Sequence, residues 1–181
     1  MKIVITGHTR GLGAELNQRF QQQDHEVLGF SLSTGHDIRK LAVQSKIVLA
    51  CRDADVFVNN AYADESQIHL LNCVYKQWHD QPGKYIINIG SNASYMYRTR
   101  HHPYVIWKTA LDETARQVQQ FAPWPVVFNF RPGTFVAPRT DHMIGPKMSV
   151  ESTADVIMYA WDNRKNFTIL DIVYSVPPQQ S

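Results

Sequence analysis

The sequence is poor in the residues that build metal centres and disulfide frameworks. Its two cysteines, Cys51 and Cys73, form neither a C-x-x-C pair nor a ligand cluster, so both read as reduced packing thiols. Eight histidines are scattered with no H-E-x-x-H pattern, and no metal is expected. No apolar run approaches the roughly 18 residues of a membrane span, and a strand that begins at the second residue leaves no room for a signal peptide, so a cytoplasmic protein is expected. Charge is nearly balanced, 18 basic against 16 acidic residues, with no basic stripe to meet nucleic acid or an anionic membrane. Internal repeats and linkers are missing too. What remains is a 181-residue chain, 44% hydrophobic, which suits one domain spanning residues 1–181 around a full core.

The most informative stretch is KIVITGHTRGLG, residues 2–13. Lys2 to Thr6 is short, β-branched and apolar, the pattern of a buried parallel strand. Gly7, Gly11 and Gly13 punctuate the turn that follows, and Leu12, Leu16 and Phe20 then recur at helical spacing. A strand, a glycine turn and a helix N-terminus form an anion site suited to a dinucleotide pyrophosphate, contacted through Gly7, Thr9, Arg10, Gly11, Leu12 and Gly13. The spacing Thr6-Gly7-x-x-x-Gly11-x-Gly13 resembles the TGxxxGxG signature of the short-chain dehydrogenase/reductase family.

Glu26 to Ser31 reads as a second strand, and the residue at its end selects the cofactor. A carboxylate there would hold the ribose hydroxyls of NAD and repel a 2′-phosphate. Ser31 stands in that place and Arg10 offers a guanidinium, so NADP(H) is favoured over NAD(H). The alternative for Arg10 is a solvated loop cation, with Arg39 and Lys40 in reserve. The family resemblance assigns Asp37 and Ile38 to the adenine; the alternative for Asp37 is to cap a helix over residues 38 to 51. The short gap after Ser31 leaves no room for a crossover helix, so the family's third strand should be vestigial. Asp55 to Val58 is a buried strand running into Asn59-Asn60-Ala61-Tyr62, similar to the family's NNAG element. That likeness places Asn60 and Ala61 against the cofactor, with Tyr62 replacing the glycine. Asp64 reads as the cap of the next helix, within which Asn72 matches by position the family's catalytic asparagine; otherwise it is a helix-surface amide.

The chemistry concentrates further on. Tyr85 to Ser91 is a strand ending in a hydroxyl, and Tyr104-Val105-Ile106-Trp107-Lys108 is a YxxxK pair thirteen residues beyond that serine. Residues four apart share a helix face, so Tyr104 and Lys108 can enter one cleft. A free phenol has a pKa near 10, and a neighbouring ammonium favours its ionised form. Tyr104 then serves as general acid or base, and Ser91 donates to the reacting oxygen. Ser94, ten residues before Tyr104, ranks second. In the resemblance Lys108 also holds the nicotinamide ribose. Val126 to Arg131 is a strand ending in Pro132-Gly133, similar to the family element that lies against the nicotinamide. Ala137 replaces the usual threonine, leaving backbone groups of Phe135 or, as a substitute, Thr140. A short lid from Pro138 to Lys147 predicts an open cleft walled by Tyr95, Tyr97, His101, His102, His142 and Met143. A helix from Val150 to Trp161, capped by Ser149, and a strand from Phe167 to Tyr174 complete the chain.

The expectation is an α/β fold: one Rossmann-like doubly wound parallel sheet of about six or seven strands, with helices on both faces. The resemblance implies an NADP(H)-dependent interconversion of a small-molecule carbonyl and alcohol by Ser91, Tyr104, Lys108 and Asn72, in a homodimer or homotetramer. The alternatives are a cofactor-binding sensor without turnover, and an epimerase or dehydratase of the family's extended branch, whose spacing would be TGxxGxxG.

Overall fold

The structure is a computed structural model describing residues 1–95, 101–137 and 140–177. Six parallel strands form one sheet in the order β2-β1-β3-β4-β5-β6. They are β1 (Lys2–Thr6), β2 (Glu26–Phe30), β3 (Val56–Asn59), β4 (Tyr85–Ile89), β5 (Val126–Pro132) and β6 (Asp171–Tyr174). The crossover helices are α1 (Gly11–Gln22), α2 (Leu41–Ala50), α3 (Ser66–Trp78), α4 (Pro103–Phe121) and α5 (Val150–Asp162).

Strand alternation divides the core in two. Ile3, Ile5, Val56, Val58, Ile87, Ile89, Phe128 and Phe130 pack beneath α1 and α5, through Leu12, Leu16, Phe20, Ile157 and Trp161. Val4, Phe57, Ile86 and Val127 face the opposite way, against α2, α3 and α4. Both faces are therefore covered, which is why the strands read as continuous apolar runs. Chain order reverses around β1, and the crevice this opens at the carboxyl ends of the strands is where an open α/β sheet binds its ligand.

Between β2 and α2 the described chain forms a single-turn 3₁₀ helix at Leu32–Thr34 and then turns, with no strand, in keeping with a vestigial third strand. Helix α2 begins at Leu41 rather than 38. Asp37 does not cap it: its carboxylate accepts from the Arg39 side chain and backbone, and Ile38 is buried with its carbonyl taken by Gln44 Nε2 at 2.7 Å. Asp64 does not cap α3 either. It adopts φ +45° and accepts from the Tyr62 hydroxyl at 3.2 Å. Ser149 caps α5 as expected, accepting from Ser152 N–H at 2.9 Å. The last strand is shorter than its apolar pattern suggested, because pairing with β5 begins only where Asn129 N–H reaches the Leu170 carbonyl.

One feature of the α3/α4 face is polar throughout. Asn59, Asn88, Asn129 and Asp171 stand in register across β3, β4, β5 and β6. Asn59 Nδ2 donates to Asn88 Oδ1 (3.0 Å), Asn88 Nδ2 to Asn129 Oδ1 (2.7 Å), and Asn129 Nδ2 to Asp171 Oδ1 (3.2 Å) and Asp112 Oδ1 (3.3 Å). Each side-chain amide thus donates to a partner in the next strand, while Asn59 Oδ1 accepts no hydrogen bond from the described residues.

Candidate active site

The three glycines of the first turn do different work. A Cβ on Gly13 would lie 2.1 Å from the Gly7 carbonyl oxygen, so the helix can approach the turn only without one. Gly11 has φ +55° and nothing within 4 Å of where a Cβ would project, which leaves its backbone facing open space. The turn is pinned by its neighbour: Asn60 N–H and Ala61 N–H donate to Thr6 Oγ1, both at 3.0 Å, and Asn60 Nδ2 donates to the Thr6 carbonyl at 2.9 Å. Arg10 precedes α1 without a side-chain cap, so the first N–H groups of the helix have no side-chain acceptor from that residue.

Gly7, Thr9, Arg10, Gly11, Leu12, Gly13, Ser31, Asn60, Ala61, Lys108 and Phe135 all line one groove. It continues into a pocket walled by Ser31, His36, Asp37, Ile38, Ala61 and Tyr62. On the other side lies a cavity of about 270 Å³ bounded by Ser91, Asn92, His102, Tyr104, Pro132, Gly133, Phe135, His142 and Met143. Together these follow the strand ends from β2 to β5. Open backbone at Gly11, helix N–H groups that Arg10 leaves without a side-chain cap, and Arg10 itself fit a pyrophosphate-bearing dinucleotide. The sequence-derived cofactor residues therefore fall along one continuous surface.

At the end of β2, Ser31 is buried and its Oγ pairs with His8 Nδ1 at 2.9 Å. The His8 ring packs on Gly29, and its pKa is lowered by burial and then by nearby His36. The position directly after β2 carries Ser31 in place of a carboxylate, and the Asp37 carboxylate in the same pocket is engaged by Arg39. That pairing holds the Asp37 pKa down at about 2 and keeps Arg39 in the adjoining pocket, whereas Arg10 lines the groove itself.

Tyr104 and Ser91 share the cavity, Tyr104 entering from the first turn of α4 and Ser91 from the end of β4. Ser91 Oγ accepts from Ala93 N–H at 3.2 Å, which leaves its own O–H as a donor. Ser94 is turned away: its hydroxyl donates to the Ser91 carbonyl at 2.9 Å. One turn beyond Tyr104, Lys108 is almost wholly buried, with Nζ 5.9 Å from the Tyr104 ring and 5.5 Å from that of Tyr62. Tyr62 lies edge-on to Tyr104, centroids 4.9 Å apart, in the place where the resemblance expects glycine. Its phenol occupies the space beside the groove.

Lys108 Nζ donates to Gln67 Oε1 at 2.8 Å and to the Ile89 carbonyl at 2.7 Å. Gln67, in the first turn of α3, was missed from the sequence, since a lone glutamine in an amphipathic helix carries no local signal. Asn72, the positional match to the family's catalytic asparagine, stands five residues further along α3, about 140° around the helix. It lines none of the three adjoining cavities. Thr140 is also diverted: it accepts from Ala137 N–H at 3.0 Å and donates to the Phe135 carbonyl at 2.7 Å, closing a turn. Loop 134–148 is tied at its neck, where Val136 N–H meets the Met148 carbonyl and Met148 N–H the Thr134 carbonyl, each at 3.0 Å. Its tip carries His142, Met143 and a fully exposed Ile144. Tyr97 and Pro138 fall outside the described residues, and among those described no cluster of three or more histidine, cysteine or acidic residues could hold a metal.

Neither a family model nor a curated protein sequence matches the chain. Solved structures do match. Serine dehydrogenase from Escherichia coli is 15% identical, with a TM-score of 0.74 over 96% of this chain and 97% of that one. The 3-alpha-hydroxysteroid dehydrogenase from Pseudomonas sp. B-0831, in complex with NADH, is 17% identical, with a TM-score of 0.77 over 97% and 95%. A short chain dehydrogenase from Burkholderia cenocepacia J2315, in complex with NADP, is 16% identical, with a TM-score of 0.77 over 97% and 88%.

Proposed function

On a chain with the fold of the short-chain dehydrogenases, we propose an NADP(H)-dependent oxidoreductase that interconverts a small-molecule carbonyl and its alcohol. The observation that carries this reading is the meeting of Ser91 and Tyr104 in one cavity, with the Lys108 ammonium under Tyr104 and the glycine-lined groove alongside. When bound, NADPH would supply the hydride for carbonyl reduction and NADP+ would accept it in alcohol oxidation. Ser91 donates a hydrogen bond to the carbonyl oxygen, and that bond strengthens as negative charge develops there. Tyr104 gives its proton to the same oxygen in reduction and removes it in oxidation. The Lys108 ammonium, 5.9 Å from the Tyr104 ring, is placed to stabilise negative charge that develops on the reacting oxygens, and it lines the groove where the cofactor ribose would lie. Ser31 in place of a carboxylate at the end of β2 and the place of Arg10 on the groove support NADP(H) over NAD(H). The shortness of the segment from Pro138 to Lys147 supports a cavity that admits varied substrates.

A second reading, a cofactor-binding protein without turnover, draws on Tyr62, whose ring takes up space between the groove and Tyr104. One experiment separates them. NADPH absorbance is followed with a panel of carbonyl compounds for the native chain and for Tyr104→Phe. Turnover lost in the variant, with NADPH affinity retained, supports the oxidoreductase. NADPH binding without turnover on any compound favours the sensor.

A further inference from the structure

We propose that Gln67 is a positioning residue that fixes the Lys108 ammonium beneath Tyr104 and holds it without cancelling its charge. The inference rests on the oxidoreductase reading. Gln67 is 1% exposed and Lys108 2%, so the ammonium has given up water and must find acceptors in the protein. Among the described residues Gln67 Oε1 and the Ile89 carbonyl both accept from it.

The orientation of the amide is fixed by its other contacts. Gln67 Nε2 donates to the carbonyls of Asn59 (2.7 Å) and Ile89 (3.0 Å) at the ends of β3 and β4. Those groups only accept and an ammonium only donates, so a flipped amide would set oxygen against oxygen and N–H against N–H. The Gln67 carbonyl, and with it Lys108, is thereby keyed to the strand that delivers Ser91.

The chemistry of this acceptor matters as much as its place. A carboxylate at residue 67 would pair with Lys108 and offset the field that the ammonium exerts on Tyr104; an uncharged amide holds it and leaves that field intact. Among the described residues, titratable and charged groups around the pair are Tyr62 and Asp64 from the β3–α3 connection, His102 just before α4, Asp112 of α4, His142 from the loop after β5, and Arg131 of β5 behind Asp112. Asp112, one turn beyond Lys108, is pushed by burial toward its neutral acid.

The test uses the full chain carrying Gln67→Met, which keeps length without polarity, or Gln67→Ala, which leaves space for acetamide. Three readouts apply: the ¹⁵N resonance of the Lys108 ammonium, the pH dependence of alcohol oxidation, and NADP(H) affinity. In the native chain the ammonium protons should exchange slowly, as hydrogen-bonded donors do, and both variants should lose that protection. Turnover near neutral pH should fall about tenfold and the acidic limb of the pH profile should move up by about one pH unit, while affinity for NADP(H) changes less. Acetamide should restore part of the turnover to Gln67→Ala and none to Gln67→Met. Folded variants with unchanged protection and an unmoved pH profile would overturn the inference. Should both variants fail to fold, the native chain decides: an unprotected Lys108 ammonium overturns it. Protection that depends on Gln67 in a chain without turnover on any carbonyl compound would uphold the positioning of Lys108 and count against the oxidoreductase instead.

Discussion

Arg10 and Asp112 show how much a single side chain decides at this site. Arg10 lies on the groove while Arg39 is occupied by Asp37, so Arg10→Ala should weaken NADP(H) by about 10- to 100-fold, the worth of a charge-assisted contact, and leave NAD(H) within a few-fold. Isothermal titration with both cofactors checks this; equal losses would remove Arg10 as the phosphate reader. Asp112 is pulled two ways. Burial raises its pKa, while Ser94, Asn129, Arg131 and Lys108 oppose the shift, and burial prevails because Arg131 approaches only to 3.8 Å and Oδ2 has no hydrogen bond. A folded pKa above the unfolded value of about 3.9 means stability is greatest below that value and declines as pH rises toward the folded one. Asp112→Asn should remove that decline, so thermal melts of variant and native chain should coincide in acid and separate above it, the variant being the more stable. The same scale explains what sequence reading found and lost. Tyr104 and Lys108 were legible because four residues on a helix bring them to one face. Gln67 was not, because its role depends on how far α3 stands from the ends of β3 and β4, which no local pattern records.

Among the elements, the first turn makes the sharpest forecast. Gly13→Ala drives a methyl into the Gly7 carbonyl and should abolish NADP(H) binding. Gly11→Ala meets no neighbour and pays only for φ +55°, about 1–2 kcal/mol by urea denaturation, so its loss of stability should be the smaller. The asparagine row is the second case. Asn88→Leu leaves Asn129 Oδ1 without its donor, while Asn59 Nδ2 keeps the Gln67 carbonyl at 2.9 Å, so the cost should be about 1–3 kcal/mol in the same assay. Strands β1 and β3 to β5 were readable as apolar runs because both faces of the sheet are covered. The row itself was written in the sequence as VFVN, YIIN and VVFN, three runs each closing on asparagine, yet its meaning needs the register of the strands. The reach of β6 was overestimated: Phe167 to Leu170 are apolar enough for a strand, but pairing with β5 begins only at Asn129 and Asp171.

Across the whole molecule, the binding surface runs from β2 to β5, so a dinucleotide that fills it ties together elements from both halves of the chain. NADPH at about 100 times its Kd should add about 2.7 kcal/mol of stability, which for a domain of this size raises Tm by roughly 5–10 °C. Differential scanning fluorimetry reads this directly; no rise at saturating NADPH would contradict a dinucleotide site. The architecture followed from strand, turn and helix order alone, whereas the packing of Tyr62 onto Tyr104 depends on a meeting of distant segments that order does not disclose. A last consequence belongs to the amide row. Sliding β4 by a single residue against either neighbour would bury its asparagine among hydrocarbon side chains, so the sheet works like a lock with one matching tooth per strand. Pieces made by cutting the exposed turn at Pro82-Gly83 should accordingly rejoin in a single alignment, visible as one set of amide NMR resonances, and several sets would show that the teeth do not choose.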